Sequence, residues 1–127
     1  TWGGPLIWRH SAYIGYMGHM YWTRNSTYNV YNYAIWRPSL PAPGYYEVYA
    51  FIPRNYATTR RARYRIFHNG MRNDHIVNQY IYYDKWVSLG TYYFRADGSE
   101  FVFLSDNTRE PYLSRYIGID AIKFVPR

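Results

Sequence analysis

Apolar and polar residues alternate with a period of two along most of this chain, and a helical period is hard to find in it. Seven segments carry the alternation or a strand-like composition: residues 28–36, 44–52, 62–68, 72–79, 85–94, 100–106 and 116–125. Between them lie RPSLPAPG, Asn69-Gly70, the YYD of 82–84 and Ala96-Asp97-Gly98-Ser99. These are turn chemistries, because Pro presets φ while Gly, Asn and Asp tolerate backbone angles that other residues avoid. In the first 27 residues Gly3, Gly4, Pro5, Gly15 and Gly18 break up an aromatic-rich run, which predicts an irregular arm with one or two short strands. No repeat, linker or low-complexity tail is visible, and 127 residues suffice for one core, so residues 1–127 read as a single all-β domain.

Asn69-Gly70 is the strongest local signal, since a two-residue type I′ turn needs positive φ at both central positions. It predicts a register in which His68 faces Met71, Ile66 faces Asn73, Tyr64 faces His75 and Ala62 faces Val77 on the core side. On the other side Phe67 faces Arg72, Arg65 faces Asp74, Arg63 faces Ile76 and Arg61 faces Asn78.

Composition narrows the function classes. There are 18 Tyr, 5 Trp and 6 Phe beside 13 Arg but only 2 Lys, with a net charge of +7. Tyr and Arg join a flat or apolar body to a polar end and concentrate at interface centres, and the positive balance favours acidic partners. Without cysteine there is no disulfide framework, thiolate metal site or cysteine nucleophile. No apolar run approaches the roughly 20 residues that span a bilayer, so no membrane insertion is expected. The start lacks the pattern of a signal peptide, and its missing initiator Met reads as that of a processed product or an excised piece.

An ordered set of residues extends from Ala34 to Val125: Trp36 followed by Pro38, Leu40 and Pro41; Gly44 with Tyr46 and Val48; Tyr64, Ile66, His68 and Gly70; Asn78-Gln79; Trp86-Val87-Ser88-Leu89-Gly90; and Asp120-Ala121. This order resembles the golvesin C-terminal-like domain, also described from xanthan lyases. The resemblance implies an antiparallel β-sandwich of jelly-roll type, non-catalytic, extracellular or on a cell surface, and presumed to bind carbohydrate; it supplies no ligand residues. Two departures stand out. His75 sits at an inward position that is apolar in the family, and Ile81, Tyr82 and Tyr83 replace a short Gly or polar turn.

Arg61, Arg63 and Arg65 repeat about 7 Å apart along one face, a spacing that anionic groups on a polymer could meet, or else they form a solvated outer face with Arg65 paired to Asp74. Tyr80, Tyr82 and Tyr83 approach the next strand as a candidate sugar platform or protein contact, while Trp86, by its alternation with Gly90 and Phe94, belongs in the core. Trp2 and Trp8, in the TWGGPLIW start, suit an arm taken up by a neighbouring subunit. His10, His19, His68 and His75 show no metal-site spacing, and His75 opposite Tyr64 reads as a hydrogen-bonded core residue. No cofactor is expected beyond a weak candidate for structural Ca²⁺ at the strand-end acids Asp106 and Asp120. Asn25-Ser26-Thr27 matches an N-glycosylation acceptor.

No carboxylate pair stands out for glycoside hydrolysis and no G-x-S-x-G occurs, so an enzyme is not expected. Nucleic acid is disfavoured because the arginines are dispersed and no basic strand carries an RNA-type aromatic pair. The expected function is an extracellular structural module that associates with copies of itself through Tyr and Arg faces, in a fibre or surface assembly. The alternative is a module that binds a cell-surface or acidic polysaccharide.

Overall fold

A computed structural model of the chain describes residues 2–3, 9–12, 19–25, 33–54, 57–111 and 114–127, with backbone alone for Ile119 and for those before Asn25. Among the described residues the strands are Trp2–Gly3 (β1), Arg9–Ala12 (β2), His19–Arg24 (β3), Tyr33–Trp36 (β4), Gly44–Ile52 (β5), Ala62–His68 (β6), Met71–Val77 (β7), Lys85–Phe94 (β8), Phe101–Ser105 (β9), Tyr116–Ile119 (β10) and Ile122–Pro126 (β11). A 3-10 turn, Gln79–Ile81, follows β7. Five strands form one antiparallel sheet in the order β1-β4-β9-β6-β7, and the others form the ladders β10-β3-β2 and β11-β5-β8. Only Asp120 and Ala121 separate β10 from β11, and across that break the Phe51 N–H donates to the Ala121 carbonyl at 2.9 Å. The two ladders thus form a second layer, and the whole is an antiparallel β-sandwich of jelly-roll type.

The alternation read from the sequence places the core. Tyr46, Val48, Ala50 and Ile52 point inward from β5, Ala62, Tyr64, Ile66 and His68 from β6, and Val102 and Leu104 from β9; all are buried. Phe94 is fully buried at the centre, edge-on to Tyr46 and Phe124 at 6.0 and 5.6 Å between ring centroids. Burying an apolar side chain of this size contributes roughly 1.5–3 kcal/mol, so these interlocked faces supply most of the drive to fold.

The hairpin forms in the expected register over all seven pairs from Ala62↔Val77 to His68↔Met71, with φ of 49° at Asn69 and 72° at Gly70. Glu100 holds the tip. Its buried carboxylate accepts from the N–H groups of Asn69 at 2.7 Å, Arg95 at 2.9 Å and Ala96 at 3.0 Å, joining two turns far apart in sequence. The inward side of β7 is wetter than expected: Met71 is 53% exposed and Val77 is the buried residue of the strand. The strand is the edge of its sheet, and the opposite layer does not cover its tip. His75 is accordingly half-buried rather than a core residue. His68, by contrast, is buried, with Nδ1 at 2.9 Å from the Tyr93 carbonyl and Nε2 at 2.6 Å from Asn73 Oδ1.

A bulge corrects the placement of Trp86. Val48 pairs with Gly90 but Tyr49 pairs with Ser88, so Leu89 is an extra residue that reverses the alternation of β8. Gly90 sits at φ 109°, where a side chain would strain the backbone and meet the Tyr92 hydroxyl at 2.7 Å. Phe94 therefore points inward while Trp86, eight residues earlier, lies half-buried on the outside against Phe51.

Asn25 also differs from expectation. Its side chain is fully buried; Nδ2 donates to Thr108 Oγ1 at 3.0 Å and to the Glu110 and Pro111 carbonyls, and Oδ1 accepts from the Arg115 N–H at 2.7 Å. A glycan on that nitrogen would remove one of its hydrogens and need space the interior lacks, so the acceptor motif is a structural asparagine here. The segment 28–32 of the predicted strand 28–36, and Trp8, lie outside the described residues.

Two outcomes follow. Glu100→Ala orphans three backbone donors and is expected to cost on the order of 3 kcal/mol, measured by chemical or thermal unfolding; an unchanged midpoint would exclude the clamp. In a host that attaches N-glycans, the folded chain should carry none at Asn25, so its mass should not change on treatment with a glycan-releasing enzyme.

Candidate functional site

Each layer has an outer face, and the two are built differently. On β11-β5-β8 the outward residues satisfy one another. Glu47 accepts from Ser88 Oγ at 2.7 Å and from Arg127 Nε at 2.9 Å, and Arg127 Nη2 donates to the Tyr49 hydroxyl at 3.0 Å. The hydrogen bond from Ser88, with those involving Tyr49 and Arg127, holds the Glu47 carboxyl below the usual range. Lys123 Nζ lies over both the Trp86 and Tyr49 rings, at 4.4 and 5.0 Å from their centroids. Cation, carboxylate and the Tyr49 and Trp86 rings are engaged with one another, while Tyr45, edge-on to Tyr93, stays 58% exposed on the same face.

On β4-β9-β6-β7 the register builds rows of rings and guanidinium groups. Phe101, Phe67 and Arg72 face one another across three strands, as do Ile35, Phe103, Arg65 and Asp74 across four. Phe67 and Phe101 stack at 4.4 Å and 21°, Tyr33 stacks on Phe103 at 5.6 Å, and Arg37 lies over Phe101 at 5.0 Å. Beside the hairpin turn the surface dips into a groove of about 320 Å³ whose lining includes Phe67, Phe101, Met71, Arg72 and Ser99.

Arg65 does not pair with Asp74 as expected, although the two face each other in the ladder. Asp74 Oδ2 is 3.2 Å from Arg63 and Oδ1 is 3.1 Å from Arg72, while the Arg65 guanidinium lies over the Phe103 ring at 5.4 Å. Burial first, then repulsion from Arg72, Arg63 and Arg109 against the attraction of Asp74, pulls the Arg65 pKa below its ordinary value. Arg61 precedes β6 and is exposed, so the basic row on the sheet is Arg63 and Arg65, extended across the hairpin by Arg72.

The tyrosines divide. Gln79 is fully buried, with its amide bonded to the Tyr64 hydroxyl and to both backbone groups of Gly118, and this pins the turn that carries Tyr80. Tyr80 and Tyr83 are exposed, at 54% and 66%, and Arg60 and Arg115 lie 5.0 and 5.8 Å from the Tyr80 ring. Tyr82 instead packs against the core, which corrects its placement on the surface. Trp2 enters the short strand β1, which pairs with Tyr33 and Ala34 of the same chain, so that part of the arm is engaged internally.

Sequence reasoning put Phe67 and Arg72 on the outer side of the hairpin but named neither them nor Phe101 and Phe103 as site residues. The available signal was two-sided apolarity: in EFVFLSD, Val102 and Leu104 fill the core, which sends Phe101 and Phe103 to the opposite side. The face offers ring surfaces and guanidinium donors. Its nearest carboxylates, Asp74 and Glu100, are engaged by two arginines and three backbone N–H groups respectively. Among the described residues no group of three or more His, Asp or Glu gathers that could hold a metal ion.

No curated protein matches this chain. Among solved structures, a Paenibacillus xanthan lyase shares the fold with a TM-score of 0.84 and 23% identity; the match covers 100% of this chain and 12% of the lyase. The family model of the Golvesin C-terminal domain matches residues 6–126, nearly the whole chain, and the protein belongs to that family.

Proposed function

We propose that this chain is a non-catalytic, extracellular polysaccharide-binding module that uses the outer face of β4-β9-β6-β7. The groove beside the stacked Phe67 and Phe101 carries this reading, because an apolar concavity walled by flat rings accepts the C–H face of a pyranose, and Arg72 and Ser99 at its rim supply donors. The family supports it, as does the likeness to a segment of a lyase named for a polysaccharide. A unit corresponding to 12% of that chain is of a size to serve as an appendage that keeps a polymer near other domains.

Self-association is the second reading. The pairing of Trp2 and Gly3 with Ala34 and Tyr33 of the same chain weakens the case for an arm taken up by a neighbouring subunit. One observation favours it still: Tyr80, Ile81 and Tyr83 are 54%, 66% and 66% exposed on a turn made rigid by buried Gln79. Exposed apolar side chains on a stiff support suit a protein contact.

Affinity electrophoresis through gels containing polysaccharide tests both readings. Phe67→Ala should weaken retention about tenfold, the loss expected when a stacking ring worth about 1–1.5 kcal/mol is removed; retention equal to wild type would eliminate the groove as the site. Ile81→Ser/Tyr83→Ala should leave retention unaltered. If that double variant also abolished concentration-dependent light scattering seen in the wild type, self-association would be established through the turn.

A further inference from the structure

The groove is one end of a longer track. Phe67, Arg65 and Arg63 follow one another outward along β6 at about 7 Å intervals. Three guanidinium groups, of Arg63, Arg65 and Arg72, meet one carboxylate, and Asp74 gives its two oxygens to Arg63 and Arg72. Arg65 receives no share. Its Nε is buried with no hydrogen-bond partner among the described residues. That Nε is closed to solvent, so a ligand meets this guanidinium through its Nη groups. The outer face of the facing layer shows the contrast, since its cations Lys123 and Arg127 both have partners.

We infer that this face is specific for acidic polysaccharide, with a sugar ring in the groove against Phe67 and Phe101 and the carboxylate of an adjoining residue at Arg65, between Arg63 and Arg72. The inference rests on the polysaccharide-binding reading and adds the class of polymer and the residue that selects it. A planar carboxylate matches the guanidinium fork and can accept two parallel hydrogen bonds. It also supplies the negative charge that the cluster lacks, for Asp74 answers one of three positive groups. Arg65 is well suited to the role because its position is set by β6 and by the Phe103 ring beneath it, so little side-chain freedom is lost on binding.

The test compares a glucuronate-containing polysaccharide with its carboxyl-reduced form, which keeps the backbone and loses the charge, using the whole chain and isothermal titration at fixed salt. Wild type should bind the acidic polymer about tenfold or more tightly than the reduced one, the scale of one charge-assisted hydrogen bond. Arg65→Gln should erase that preference and bind the reduced polymer as wild type does, while Arg65→Lys, which keeps the charge but not the fork, should recover only part of it. Lys85→Gln, removing the same charge from β8, should change nothing. Arg72→Gln, on the exposed edge strand, should also reduce the preference and does not depend on Arg65 variants folding. Equal affinity of wild type for both polymers would overturn the inference and leave the module reading intact; binding of neither would overturn both. An equal loss in Lys85→Gln, or equally tight binding of single-stranded DNA, would reduce the effect to net charge and overturn the assignment of Arg65.

Discussion

The pairing of β6 with β7 through the Asn69-Gly70 turn sets the phase of every side chain on the candidate face. A strand has a period of two, so a slip of one residue would turn Arg63, Arg65 and Phe67 into the core and expel Tyr64, Ile66 and His68. The turn chooses the register by its positive φ angles, and Glu100 secures it from outside the hairpin by accepting the Asn69 N–H. The same carboxylate accepts from Arg95 and Ala96, so the ends of β6, β8 and β9 meet at one buried group. The groove lies beside this junction, and Glu100 and Gly70 both line it.

The two outer faces show how similar compositions reach different ends. Each carries aromatic rings, basic residues and a single acid near its centre. On β11-β5-β8 the acid and the cations are matched, and Lys123 lies over the rings. On β4-β9-β6-β7 the guanidinium groups outnumber the carboxylate, and stacked rings border a concavity. Matched charges leave the first face no electrostatic need for a ligand, whereas an imbalance held on a rigid sheet makes a face that gains by adding one.

A third device is the exchange of polar groups beneath the loops. Asn25, Thr108, Glu110 and Arg115 are joined by hydrogen bonds, and Gln79 ties its 3-10 turn to Tyr64 and Gly118. Burial raises the Tyr64 hydroxyl pKa above the ordinary range, so it stays protonated in this network. These interior groups leave Tyr80 and Tyr83 standing outward on a fixed support.

Local chemistry was enough to read the strands and the hairpin. The bounds 44–52, 62–68 and 85–94 could be drawn from alternation and turn residues, and all seven pairs of the hairpin followed from one dipeptide. These features depend on neighbours a few residues away, and so they are written in the order of residues. What required the tertiary structure was any choice between equivalent partners or faces. Asp74 could meet Arg63, Arg65 or Arg72, and the Phe103 ring drew Arg65 aside. Trp86 was sent outward by a bulge whose extra residue shows only when β8 is laid against β5, and Asn25 looked like a surface acceptor until residues some 85 positions away enclosed it. The sequence by itself determined the period of two, the turn and therefore which residues share a face of the hairpin. Only the folded sandwich decided which of those faces is covered, which charges are neutralised and where the rings leave a groove, because each depends on contacts between strands distant in the chain.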